Sequence, residues 1–356
     1  MFAYDAGLTI DLDSALRLLS VRPDETSRET IKRSRRTPEY FDYRPAPLRV
    51  VQHSEPITLG KLSTRASVEC TIFDFGAISV EYTIPFEGGL ELLLDLSDAL
   101  YENEALLADS RWRVERLLHT IGSAVREPHL SQVVEDYAVF HVHVCDVPPA
   151  ELLPRHAPML ARILRAERDV LSQQEVDEAL STRVSYSERD LAILDWNAAI
   201  VIDDDAADTL AVLEFVNIEL LEMRLLDDRL DTSLEEAYRI VESRRGLGGV
   251  LALAGGGKLR HISALQMDAA MLFEGVNNAL KLVGDQYLAR LYKLASGRLH
   301  LSDWDASILR KLATLESIYG KLLDRRTTRR MEVLEAIIIL LFVVSIVLPF
   351  VTSAAK

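Results

Sequence analysis

From Ser67 to Phe86 apolar and polar side chains take turns: Val68, Cys70 and Ile72, then Ile78, Val80, Tyr82 and Ile84 beyond Asp74-Phe75-Gly76. A period of two puts alternate side chains on opposite faces of a strand, and the Asp-Phe-Gly stretch supplies turn chemistry. The pattern predicts a β-hairpin ended by Pro85 and Gly88-Gly89. Helical spacing follows over about 90–102 and 104–125. Alternation returns at Tyr137–Val144, with Ala138, Phe140, Val142 and Val144 opposing Tyr137, Val139, His141 and His143. Beyond Pro148 helices are expected at 155–169, 173–180 and 188–194, the second opened by a Ser172/Glu175 capping box. Ala198–Ile202 reads as a short returning strand, closed by Asp203-Asp204-Asp205. Upstream, Asp11–Leu19 fits one short helix. Arg22–Arg49 mixes basic residues with Pro38, Pro45 and Pro47, the composition of an exposed arm.

The spacing changes after residue 206. Leu213, Val216, Leu220, Met223, Asp227, Leu230, Leu234, Ala237 and Val241 recur in alternating steps of three and four, a heptad seam with one polar member. A helix over 208–245 would run roughly 57 Å. Glycines between Gly246 and Gly257 break it, and a second helix carries the pattern from Leu265 to about Ala295. Ser302 then caps a third, with Ile308, Leu312, Leu315, Tyr319 and Leu322 on its seam. These residues predict self-assembly through a long antiparallel helical coiled-coil hairpin. An acid at a seam position needs a partner, so Asp227 is expected to pair with an arginine of a neighbouring helix or subunit. The last apolar run, Ala336–Ala355, carries no charge and is about long enough to span a bilayer as a helix. Arg325, Arg326, Arg329 and Arg330 precede it, which by the positive-inside rule leaves the bulk of the chain in the cytoplasm.

The expected fold class is therefore an α+β head domain, then a long antiparallel helical coiled-coil hairpin, then one C-terminal transmembrane helix. The boundaries are 1–66 for the arm, 67–205 for the head, 206–335 for the helical region and 336–355 for the span. The first residues show neither an apolar signal core nor an Arg-rich transit composition. The expectation is a tail-anchored, single-pass protein of the bacterial inner membrane. Among 356 residues, 40 Lys and Arg face 55 Asp and Glu, a formal net charge of −15 that disfavours broad nucleic-acid contact. Two distant cysteines, Cys70 and Cys145, fit a reducing compartment.

Candidate chemistry is thin. His141, His143 and Cys145 have the spacing of same-face metal ligands on a strand. They lack a fourth donor unless His119, His129 or His156 supplies it. Asp195, Asp203, Asp204 and Asp205 offer carboxylates of the kind Mg²⁺ takes, and a helix N-cap accounts for the last three equally well. Gly255-Gly256-Gly257-Lys258 fails as a phosphate loop, because Ala252 and Leu259 replace its first glycine and its Ser/Thr. No catalytic residue and no cofactor is assigned.

Three segments, Ile72–Ala77 (IFDFGA), Glu135–Phe140 (EDYAVF) and Leu213–Asp231, together with the basic-acidic run Arg329–Glu335 before the apolar tail, resemble the RMD/YagE family. The resemblance covers roughly residues 67–350. It implies a bacterial relative of membrane-attached proteins, some linked to organelle translation, with no agreed catalytic residues. The function expected is a non-enzymatic, membrane-tethered scaffold whose partners are the bilayer, further copies of itself and an unidentified protein, of the translation machinery or of another membrane complex. The rivals are a homo-oligomeric channel lined by the final helix and a metal-dependent enzyme.

Overall fold

Strand β1 (Phe2–Asp5) enters the middle of a six-stranded antiparallel sheet with its first residues. This computed structural model describes residues 1–21, 30–33, 46–143, 148–243 and 286–321. The sheet also takes β3 (Thr30–Arg33), β4 (Leu48–His53), β7 (Ser67–Ile72), β8 (Ala77–Tyr82) and β10 (Val134–Asp136), in the order β10-β1-β8-β7-β4-β3. The hairpin read from alternation is β7–β8, with Cys70 opposite Val80 and Ile72 opposite Ile78. Gly76 at its turn has φ +104°, and a Cβ there would lie 1.8 Å from the Gly7 carbonyl oxygen, so only glycine fits.

One face of this sheet presents Phe2, Tyr4, Val50, Val68, Cys70, Ile72, Ile78 and Val80 to the main core. Helices α1 (Leu12–Val21) and α3 (Glu104–Ile121) contribute Leu12, Leu19, Leu106, Val114, Leu117 and Ile121 to the same core. Asn103 caps α3 by accepting from the Leu106 amide. Small two-residue ribbons, β2 (Thr9–Ile10) with β9 (Val125–Arg126) and β5 (Thr58–Leu59) with β6 (Leu62–Ser63), close the loops.

A second, mixed sheet has the order β11-β14-β13-β12, from β11 (Ala138–Val142), β12 (Arg183–Val184), β13 (Leu191–Leu194) and β14 (Ala198–Ile202). Strands β11 and β14 are parallel; the other pairs are antiparallel. Every residue of β13 and β14 is buried. Helix α4 (Pro149–Arg165) covers this sheet with Leu160, Ile163 and Leu164 and is joined by α2 (Leu90–Leu100) and α5 (Gln173–Ala179). Ser172 caps α5 as the sequence indicates.

Helix α6 (Ala207–Ser243) runs for 37 residues. It is followed among the described residues by α7 (Gln286–Arg298) and by α8 over residues 301–321. The chain divides into two compact units, Met1–Leu225 with Met271–Asp305, and Leu226–Ala270 with Ala306–Lys356. In the first unit, Ile218, Leu221 and Leu225 of α6 pack against Ala3, Phe73 and Ala77 on the far face of the six-stranded sheet. In the second, Leu226, Leu230, Ser233 and Ala237 of α6 and Ile308, Leu312, Leu315 and Tyr319 of α8 are buried at matching heptad steps.

Several expectations are corrected. The α+β head stands, but the fold class ending in a transmembrane helix does not; residues 265–285 of the expected second coil helix lie outside the described residues. Ser307 lies 3.2 Å from Asp227 of α6, and Lys311 lies 2.8 Å from Asp227 and 2.6 Å from Asp231. Tyr319 further along α8 feels Glu236. Position advances in the same sense on both helices, so α8 is parallel to α6. Helix α7 belongs to the first unit and packs on β12 and β13 instead of prolonging an arm.

No helix among the described residues is long and apolar enough to cross a membrane. The longest, α6, carries Glu214, Glu219, Glu222, Arg224 and Asp227 within a few turns, each costly in hydrocarbon. Residues 336–355, Val241 as a side chain, Leu322 and the flanking Arg325, Arg326, Arg329 and Arg330 lie outside what the structure describes. The transmembrane, tail-anchored and inner-membrane expectations are withdrawn with that finding. Within the head, residues 191–194 form a strand where a helix over 188–194 was expected. Phe2–Asp5 and Leu48–His53, read as part of an arm, are strands of the main sheet.

Candidate functional site

The second sheet ends at Ile202, and the acidic loop 203–205 carries the chain into α6. Asp203 Oδ1 accepts from the Asp205 amide at 3.1 Å, and Asp205 Oδ1 accepts from the Ala207 amide at 3.4 Å. These two carboxylates thus fold the loop and satisfy a backbone N–H at the start of the helix. The Asp203 amide is held by the Val142 carbonyl at 3.2 Å, which fixes the loop to the edge strand β11. Across from it, the loop between β12 and β13 is tied by Asp190, which accepts from the Tyr186 and Ser187 amides and from the Ser187 hydroxyl.

Helix α7 brings Tyr287 and Leu288 between these loops. Together with Asp208 and Thr209 they line a cleft of about 340 Å³ whose acidic members are Asp190, Asp203, Asp204, Asp205 and Asp208, with Arg189 also on its lining. The rings of Tyr186 and Tyr287 meet edge to face at 5.9 Å. Tyr186 is 76% exposed, whereas burial pushes the Tyr287 phenol up and a hydrogen bond with Thr209 pulls it back. Carboxylates beside aromatic faces in a concave site suit an organic cation, held by charge and by the ring quadrupole.

The residues flagged in the sequence fall as follows. Asp203, Asp204 and Asp205 come together at this cleft. Asp195 does not join them: its Oδ1 accepts from Arg298 Nε at 3.0 Å and its Oδ2 from Arg165 Nε at 2.9 Å. Arg298 also bonds Glu178, and Arg165 bonds Glu175, so this cluster, buried at Asp195 and Arg298, ties α4, α5 and α7 to the end of β13. Tyr137 donates to the Asp195 and Ala198 carbonyls, and burial raises its phenol far above the usual range.

His141 and His143 lie with ring centroids 3.9 Å apart, but His141 Nε2 is taken by the Asp203 carbonyl at 2.9 Å; Cys145 lies outside the described residues. Among the described residues no three His, Cys, Asp or Glu side chains are grouped to hold a metal. Of the residues assigned to oligomer register, Leu213, Val216 and Met223 are buried in the first unit and Leu230 in the second, with Leu220 and Leu234 half-buried. Asp227 has a cationic partner, Lys311 of α8, in place of the arginine foreseen. Tyr186, Asp190, Asp208 and Tyr287 were not singled out from sequence; they come from three distant segments, and no local spacing joins them.

The geometry defines an α+β protein with an acidic, tyrosine-walled cleft at the start of its longest described helix. The family model described as "Uncharacterized protein MJ0711, N-terminal domain" matches residues 1–209, and the chain belongs to that family. It is 24% identical over 236 residues to the uncharacterized protein MJ0711 of Methanocaldococcus jannaschii, covering 66% of this chain and 71% of the relative. No solved structure matches.

Proposed function

We propose that the protein is a non-enzymatic scaffold that holds a basic segment of a partner protein in the acidic cleft. The observation that carries this reading is the meeting of five aspartates with Tyr186 and Tyr287 around one cavity. Asp203, Asp205 and Asp190 are committed to backbone amides, yet a carboxylate has about four lone-pair sites and keeps its charge while accepting such bonds. The overall charge of −15 attracts a basic partner from a distance, and the cleft orients it.

The finer likeness to the RMD/YagE family belongs to the same proposal. The first two segments and residues 213–225 of the third meet in the first unit. Phe73, Phe75 and Ala77 touch Ile218, Leu221 and Leu225, Asn217 donates to the Glu135 carbonyl at 3.2 Å, and Arg224 pairs with Glu135. That convergence supports reading the segments as parts of one core rather than scattered matches. On this view a basic protein of the translation apparatus is the partner class. Self-association through the seam is not needed, since Leu226, Leu230, Ile308 and Leu312 are already buried within one chain.

Calorimetric titration with an oligoarginine peptide tests the site. The expected result is binding that weakens about tenfold in Asp204→Asn/Asp208→Asn and in Tyr186→Ala. A matched loss of charge at the exposed Glu235 and Glu236 of α6 should leave it unchanged. Equal weakening by both double variants would reduce the attraction to net charge and leave the cleft no role of its own.

A further inference from the structure

Helix α6 carries Glu219, only 3% exposed, on the side turned away from the sheet contacts of Ile218, Leu221 and Leu225. Its Oε2 accepts the buried Tyr292 hydroxyl of α7 at 2.8 Å. One turn back, the Phe215 ring meets Tyr292 at 6.2 Å, so the surroundings on that side are aromatic. From the first turns of α8 comes Asp305, whose Oδ1 is buried with no hydrogen-bond partner among the described residues. The groups acting on Glu219 are thus the Tyr292 hydroxyl of α7 and the charge of Asp305 of α8, of its own sign, while Glu222 lies three residues on along α6. A buried carboxylate faced by another has every reason to keep its proton.

We propose that Glu219, Tyr292 and Asp305 form a pH-sensitive latch that holds the segment Gln286–Asp305 on α6 while Glu219 is protonated and loosens it when the proton leaves. Burial pushes the Glu219 carboxyl up to about 8, the Tyr292 hydrogen bond opposes that, and Asp305 adds to it. Burial also raises Asp305. The sign follows from linkage. A carboxyl raised from 4.5 to about 8 on folding binds more protons folded than unfolded across that window. Its favourable contribution is therefore complete below the unfolded value and lost as pH rises through the folded one. In the ionised state two like charges meet where α7 and the start of α8 seat on α6. The latch is independent of the cleft reading, since none of its three residues lines the cavity.

Backbone amide exchange of residues 286–305, corrected for the intrinsic pH dependence of exchange, reads the latch directly. Between about pH 6.5 and about pH 9 the unaltered protein should lose about tenfold in protection over this segment. Glu219→Gln, which keeps the shape and cannot ionise, should keep its protection at both values. A variant that loses protection as the unaltered chain does, or an unaltered chain whose protection does not change, overturns the proposal. A carbon-13 titration of the Glu219 carboxyl in the unaltered protein needs no variant: a midpoint above about 7 supports the latch and one below about 7 overturns it.

Discussion

The two halves of α6 are one continuous helix under two burial regimes. From Val212 to Glu219 every residue is buried, and Leu221, Met223 and Leu225 follow. From Leu226 to Ala237 burial narrows to Leu226, Leu230, Ser233 and Ala237, while Asp228, Asp231, Glu235, Glu236 and Arg239 face solvent. The first half is the wall between two sheets and α7; the second is an ordinary amphipathic helix with one partner stripe. Both satisfy a heptad rule, so the rule alone does not tell a surrounded helix from a coil. The polar residues do: Glu214, Asn217 and Glu219 are buried in the first half, and the acids of the second are mostly not.

The ion pairs divide the same way, and breaking them sharpens the contrast. Arg298 and Asp195 in the first unit have side chains only 8% and 2% exposed. Arg298→Ala would leave the buried Asp195 carboxylate with Arg165 as its remaining cationic partner among the described residues. It should cost about 3–5 kcal/mol in urea unfolding. Next comes pH: burial and the nearby Glu214 push Glu81 up to about 7, as burial does Glu219 to about 8. Both acids sit in the first unit, and both lose their favourable contribution as pH rises through the folded values. Its unfolding free energy should therefore fall between about pH 5 and about pH 8, by at most about 1.4 kcal/mol per pH unit for each group. Glu81→Gln with Glu219→Gln should flatten the curve. Urea melts across that range check it.

In the second unit the partly exposed Lys311–Asp227 pair is a weaker tie, and Lys311→Ala should cost about 1 kcal/mol. Arg239→Ala, which removes an exposed partner of Glu235, should change stability by less than about 0.5 kcal/mol. Had Lys311→Ala proved as costly as Arg298→Ala, the second unit would hold a core of the same kind as the first, and the contrast would fail.

The legible parts of the fold were those where local pattern and tertiary role agree. The β7–β8 hairpin alternates because one face meets the core and the other carries Glu69, Thr71, Ser79 and Glu81. Ser172 caps α5 through a local bond to the Glu175 amide. The Ile308–Tyr319 stripe of α8 was read correctly because only one side of that helix is covered. Illegible parts had no such asymmetry. Leu191–Leu194 is buried on both faces and shows no period of two, so it passed for a helix. Phe2–Asp5 is four residues, all buried, in mid-sheet. Helix α4 begins at Pro149, ahead of the expected 155, and its Pro154 and Pro158 each lack a backbone N–H, a local cost offset by the burial of Leu160, Ile163 and Leu164. For the site, the Asp203–Asp205 run stood out by composition, but the tyrosines that make it a cleft arrive from residues 186 and 287.

A basic partner, on this reading, is met at that cleft and nowhere else on the acidic surface. Amide chemical-shift mapping during titration with an oligoarginine peptide tests this most directly. Shifts gathered on Tyr186–Asp190, Asp203–Thr209 and Tyr287–Leu288 are the predicted result. Shifts spread over the acidic surface of α6 from Asp228 to Glu236, with those segments silent, would contradict it.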